Sequence, residues 1–173
     1  KKSYFLHIGT FDKRKNLPLL VMAFAEFLSK TQSEKKLVLV GGPGQSKQMN
    51  DYPIVKELVQ KLALEEKVLL PGFLADAEIK ALYSEAFAYV FPSENEGFGI
   101  PILESMGFGV PVIHSDQPAL VEVAGGAGLA FETGVQTDLM EKMVLLERNN
   151  DLKSGLVQAG TTRSKDFSAK KFI

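Results

Sequence analysis

The sequence predicts an α/β domain, a doubly wound parallel sheet of about six strands with helices on both faces. Short apolar runs alternate with longer stretches whose apolar residues recur at helical spacing. The short runs are apolar throughout rather than every second residue, as expected of strands buried on both faces. Parallel strands need crossover connections, and the helical stretches between the runs supply them.

The elements follow in order. "YFLHIG" (Tyr4 to Gly9) reads as a buried strand. Leu17 to Leu28 reads as a helix, with Pro18 tolerated in its first turn. "KLVLVGG" is a second strand closed by glycines, Asp51 to Ala63 a helix and "KVLLPG" a third strand. Asp76 to Ala86 is a helix, with Asp76 expected as its N-cap and Glu78 in the first turn. "AYVFPS" is the next strand, Pro101 to Phe108 a short helix and "VPVIHS" a strand. Pro118 to Val123 is a helical turn and "AGLAFE" the last strand. Helices over Gln136 to Arg148 and Leu152 to Lys165 finish the chain. No repeat or linker interrupts it, so residues 1–173 read as one domain.

Composition narrows the function. The chain has 173 residues, 45% apolar and 24% charged, enough for one sizeable core. Lys and Arg total 20 against 21 Asp and Glu, which argues against a nucleic-acid surface or a polybasic anchor. Without cysteine there are no disulfides, thiolate nucleophiles or Cys–zinc sites, and a reducing compartment is favoured. His7 and His114 are the two histidines, and both read as packed side chains, so no metal site is expected. No apolar run reaches the roughly 20 residues that span a bilayer. The chain starts Lys1-Lys2-Ser3 without methionine and is read as a piece of a longer protein.

Ligands of such sheets bind beyond the carboxyl ends of the strands. The first such loop, "GTFDKRKN" from Gly9, sets Lys13, Arg14 and Lys15 in a row before a helix start. Fixed cations beside unpaired helix N–H groups suit a phosphate, although a solvated basic turn explains this loop equally well. "GGPGQSK" lacks the third glycine of a dinucleotide fingerprint and reads as a tight turn. "ENEGFGIPILE" (Glu94 to Glu104) carries three glutamates, and its glycines leave backbone N–H groups open to a ligand. Pro101 suits a first helical turn. An ionised carboxylate only accepts hydrogen bonds, and a vicinal diol offers two donors. Glu96 and Glu104 therefore suit two diols of one long ligand, with the basic loop taking the charge between them. That ligand is a sugar, diphosphate and ribose in line. The competing reading makes Glu96 a first-turn acid and Glu104 plain surface.

The segment "FPSENEGFGIPILESMGFGVPVIHSDQPALVEVAGGAGLAFE" closely resembles the retaining glycosyltransferases of family 4, also called group 1. Glu96 and Glu104 match their E-x7-E motif, "GFGVPVI" and Glu122 match further on, and "IGTFDKRKNLPLL" resembles the family's phosphate loop. "LLPGFLADAEIKALYSEA" resembles its middle section, so the likeness runs over nearly the whole chain.

The resemblance implies a GT-B enzyme of two Rossmann-like domains, with this chain the C-terminal, donor-binding one and the N-terminal acceptor domain absent. It implies transfer of a sugar from a nucleotide-diphosphate-sugar with retention, without cofactor or metal. Lys15 would contact the diphosphate, with Arg14 replacing an arginine that many members carry where this chain has Thr10, beside Gly9. Glu96 would sit at the donor sugar with Gly97, Phe98, Gly99 and Ile100, and Glu104 would bind the ribose. The backbone at Phe73 and Leu74 would touch the base. The Arg14-Lys15-Asn16 triplet tilts the donor towards GDP-mannose over UDP-sugars. The acceptor expected is a glycan or lipid-linked sugar held by the other domain, which also leaves peripheral membrane contact open. The expected location is the cytoplasm or the inner face of a membrane. An epimerase of the same architecture and a binding module without chemistry are the alternatives.

Overall fold

The computed structural model describes residues 3–44 and 46–167. Gln45, in the predicted "GGPGQSK" turn, lies outside the described residues. The described residues form six strands: β1 (Tyr4–Ile8), β2 (Lys36–Val40), β3 (Val68–Gly72), β4 (Ala88–Phe91), β5 (Val112–Ser115) and β6 (Leu129–Phe131). Seven α-helices join and follow them: α1 (Leu17–Thr31), α2 (Tyr52–Lys61), α3 (Asp76–Glu85), α4 (Ile100–Gly107), α5 (Pro118–Ala124), α6 (Gln136–Arg148) and α7 (Asn150–Asp166).

All strand pairs are parallel, in the order β3-β2-β1-β4-β5-β6. The chain therefore steps outward from β1 through β2 to β3, then returns to the other side of β1 as β4. The strand order thus reverses between β1 and β4, and the loops leaving these two neighbours stand at the place where open sheets of this kind bind ligands.

Residues alternate between the two faces, as the two-residue strand period requires. Phe5, Leu37, Leu39, Ala88, Val90, Ile113 and Phe131 pack with α1, α2 and α6. Leu6, Val38, Val40, Tyr89, Phe91 and Val112 pack with α3, α4 and α5. On the first face, Phe5 meets Phe27 and Phe87 edge-on, at 5.2 and 5.3 Å between ring centroids. Each such ring taken out of water contributes about 1.5–3 kcal/mol. α7 begins beside α6 and ends against α4, where Gly160 lets the helices close: a Cβ there would lie 2.9 Å from Met106 Cγ.

Several boundaries differ from the sequence reading by one to three residues, and three of the differences have a plain local cause. Asp76 is not the N-cap of α3. Ala75 holds that place in extended conformation, its carbonyl accepts from Ile79 N–H, and its own N–H donates to Glu78 Oε2 at 2.8 Å. The glutamate three residues on thus caps the turn and leaves Asp76 as the first helical residue. α7 starts two residues earlier than expected, because Asn149 accepts from Leu152 N–H at 2.8 Å and caps it there. α2 stops at Lys61, since Ala63 takes a left-handed conformation with φ 52°.

Candidate functional site

The turn after β1 is built by short-range contacts. Thr10 Oγ1 donates to Asp12 Oδ2 at 2.6 Å, and Phe11 N–H donates to Gly42 O at 3.0 Å, tying the turn to the end of β2. Lys13–Lys15 form one 3-10 turn that ends at Asn16 in left-handed conformation, φ 50°, from which α1 starts. This turn sends Lys13 and Arg14 outward and Lys15 inward, where it is 8% exposed. A lysine is buried this far only with partners.

The partners come from the loop after β4. Glu94 N–H donates to Arg14 O at 2.8 Å, and Asn16 Nδ2 to Glu94 Oε1 at 2.7 Å, which zips the two loops together. Lys15 Nζ then lies 2.6 Å from Glu96 Oε1, and Arg14 Nη1 lies 2.9 Å from Glu96 Oε2. Arg14 also donates to Asn95 O at 3.2 Å, and the Lys15 ammonium sits 4.6 Å from the centre of the Phe91 ring. Burial alone would raise the pKa of Glu96. The bond to Lys15 and its charge, the Ser93 hydroxyl and Arg14 outweigh that and hold the carboxyl below its usual range. Glu96 is therefore an ionised carboxylate clasped by two cations, at the crevice between β1 and β4.

Beyond Glu96 the chain turns into α4. Gly99 makes that turn with φ 86°, and a Cβ there would lie 2.7 Å from Leu120 Cδ2. Nothing stands within 4 Å of where a Gly97 side chain would begin, so the backbone before α4 is open to a ligand. Phe98 and Ile100 are exposed. Glu104 lies one turn into α4, exposed, and accepts from the Tyr83 hydroxyl at 3.2 Å. Tyr83 stacks on Phe108 at 5.3 Å. Glu104 also borders a groove of about 600 Å3 with Phe98, Leu103 and Phe167.

The two acids share a floor. Tyr83 packs on Tyr89 at 5.8 Å, Tyr89 on Phe91 at 6.0 Å, and Phe91 lies under Lys15. Burial raises the Tyr89 hydroxyl well above its ordinary pKa, and Tyr83, Glu104 and Glu96 add to that. The same buried hydroxyl thus feels both carboxylates, one from each end of the row.

Among the expected site residues, the structure brings Lys15, Arg14 and Glu96 together, with Gly9 and Thr10 before them and Gly97 to Glu104 after. Phe73 and Leu74 stand two strands away, past β3. The Phe73 ring, 74% exposed, lies against Gly42, and Leu74 lines a different groove with Tyr4 and Val38. His114 is buried and donates from Nδ1 to Ser115 O at 2.8 Å, which fits the packed reading. Among the described residues, no cluster of His, Cys, Asp or Glu is placed to hold a metal ion, and no helix is long and apolar enough to cross a membrane.

Sequence reasoning missed the polar role of Tyr83, whose spacing marks it only as core. It also missed Ser93 beneath Glu96 and the Asn95 carbonyl that holds Arg14. Two of these contacts, Tyr83 with Glu104 and Asn95 with Arg14, join distant segments and leave no pattern in the chain; Ser93 and Glu96 share one loop, and only its folded shape sets them together.

Comparison with known proteins agrees over nearly the whole chain. The family described as "Glycosyl transferases group 1" matches residues 1–163. The O-antigen chain mannosyltransferase B of Escherichia coli is 33% identical over 168 residues, which cover 96% of this chain and 42% of that protein. The O-antigen chain mannosyltransferase RfbU of Salmonella typhimurium is 35% identical over 130 residues, 75% of this chain and 34% of that protein. Among solved structures, the sucrose-phosphate synthase of Thermosynechococcus elongatus superposes with a TM-score of 0.84 at 27% identity, covering 96% of this chain and 41% of that one. The chain thus spans less than half the length of these relatives.

Proposed function

Since the chain belongs to the glycosyl transferases of group 1, we propose that it is the nucleotide-sugar-binding, C-terminal domain of a GT-B transferase that moves a sugar to an acceptor with retention of configuration. The observation that carries this reading is the pairing of Lys15 and Arg14 on one carboxylate, Glu96, at the mouth of the β1–β4 crevice. A donor diphosphate offers the two cations a stronger partner, and the sugar hydroxyls offer donors to Glu96 in exchange.

Cleaving the bond between anomeric carbon and phosphate leaves negative charge on the diphosphate. Lys15 and Arg14, with the open N–H groups between Gly97 and Ile100, take up that charge. Glu96 orients the sugar, and Glu104, steadied by Tyr83, accepts from the ribose diol. Gly9 and Thr10 close the crevice on the β1 side, and the backbone at Phe73 and Leu74 meets the base. No protein nucleophile is assigned and no cofactor is needed. The relatives' mannosyltransferase names and the Arg14-Lys15-Asn16 triplet favour GDP-mannose. The acceptor, a glycan or lipid-linked sugar, belongs to the remainder of the enzyme, working in the cytoplasm or at the inner face of the membrane.

Melting curves of this chain with GDP-mannose, UDP-glucose, UDP-N-acetylglucosamine and ADP-glucose test the reading. A ligand at about 100 times its Kd stabilises a fold by about 2.7 kcal/mol, so the true donor separates from the rest, and GDP-mannose is expected to lead. No shift with any of them overturns donor binding.

A further inference from the structure

His7 stands next to the carboxyl end of β1 and is fully buried. Its Nδ1 lies 2.9 Å from the Val90 carbonyl of β4. A carbonyl can only accept, so Nδ1 carries the proton and Nε2 presents a bare lone pair. The ring is held between aromatic neighbours, 6.0 Å from Tyr89 at 16° and 5.9 Å from Phe91 at 25°. Burial lowers its pKa to about 4 against the pull of the Val90 carbonyl; Lys15 lowers it further and Glu96 raises it. His7 is therefore neutral near pH 7.

That lone pair has no hydrogen-bond partner among the described residues. An unpaired acceptor buried in a sheet is unfavourable, and its place identifies what it serves. Nε2 and Lys15 Cε border one space above Gly9, at 3.4 and 3.9 Å from the point where a Gly9 Cβ would stand. Glycine leaves that space open. The lysine ammonium has three donors, and its ion pair with Glu96 leaves at least two of them for other acceptors.

We propose that His7 is a positioning residue for Lys15: its bare Nε2 accepts a hydrogen bond from the Lys15 ammonium once a diphosphate and sugar have drawn the lysine and Glu96 apart. This rests on the diphosphate-binding reading above. Among the described residues, Glu96 pairs with the ammonium at 2.6 Å. When sugar hydroxyls occupy Glu96, the nearly buried cation needs another acceptor that adds no charge to compete with the phosphate. A neutral imidazole locked by Val90 supplies it. The lysine is then aimed between Nε2 and the phosphate.

The test is nitrogen-15 NMR of the His7 imidazole in this chain, titrated with the nucleotide-sugars GDP-mannose, UDP-glucose and ADP-glucose, which carry both the diphosphate and the sugar hydroxyls. A nitrogen that begins to accept a hydrogen bond moves upfield. The expected result is an upfield shift of Nε2 on saturation with the diphosphate that binds, with Nδ1 unmoved. Alongside it, His7→Asn keeps a donor near Val90 but lacks the outer nitrogen, whereas His7→Gln returns an acceptor near the Nε2 position. His7→Asn is expected to weaken the diphosphate about tenfold, as loss of one charge-assisted bond does, with His7→Gln within about threefold of the parent. If a diphosphate binds and Nε2 does not move, this inference is overturned while the donor site stands. If none of the three binds, both fall. The wild-type measurement needs no variant to fold.

Discussion

Glu96 and Glu104 stand on the same rim, yet their surroundings are opposite. Glu96 is 10% exposed at its side chain and gripped by two cations. Glu104 is exposed and held by one neutral hydroxyl, Tyr83 at 3.2 Å. A ligand group reaching Glu96 has to displace or share an ion pair, whereas one reaching Glu104 displaces only water. The first acid suits a group that arrives with its own phosphate to compensate the freed cations. The second suits a plain diol. Under the proposed function, that difference would set the charged middle of a nucleotide-sugar at the β1–β4 crevice and its ribose on the flank of α4.

The comparison breaks most visibly at the cations. Lys15→Ala removes the buried partner of Glu96 and the proposed inner phosphate contact together. Affinity for the matching nucleoside diphosphate is expected to fall about ten- to a hundredfold by calorimetry, the range for a charge-assisted bond. Unchanged affinity would place the diphosphate elsewhere.

A smaller effect separates the exposed acids. Glu104→Ala is expected to weaken the same diphosphate about five- to tenfold through the lost ribose contact. Glu94→Ala breaks only the exposed bond to Asn16 and should stay within about twofold, as surface pairs do. Equal losses would remove the distinction between ligand-facing and structural glutamates.

The smallest expected effect concerns pH. Glu96 is held below its ordinary pKa, so its pairing stabilises the fold above the unfolded carboxylate value, about 4.3, and that stability is lost as pH falls through the folded value. Glu96→Gln should melt lower than the parent at neutral pH, by about 1 kcal/mol after allowing for solvent at Arg14. The two melting curves should then converge in acid. His7, buried and neutral, costs both proteins stability as pH falls from 6.5 to about 4, and it costs the variant slightly more, because the Glu96 charge that raises its pKa is gone. Parallel curves from neutral to pH 3 would show that the ion pair carries no net stability.

Much of the site was legible because it is local in sequence. Lys15 lies in one loop, and Glu96 to Glu104 lie in one loop and one helical turn, so spacing alone brings each group to a strand's end. The contact between them was not legible from spacing, since it depends on β1 and β4 being neighbours although β2 and β3 lie between them in the chain. Phe91 shows the same limit. Its apolar run marks it as core, but only the register of the sheet sets it under an ammonium. The misplaced cap of α3 has a different cause: Asp76 and Glu78 are both good first-turn acids, and the choice rests on which carboxylate reaches the Ala75 N–H.

The sequence by itself determined the strand–helix alternation, the two buried faces and the identity of the charged loops, because periodicity and turn chemistry act over a few residues. Tertiary structure alone decided that Lys15 turns inward to Glu96, that Tyr83 reaches Glu104, and that one nitrogen of His7 is left bare beside them. Those outcomes depend on which distant segments share a wall, and a buried charge or lone pair is defined by what packing sets against it.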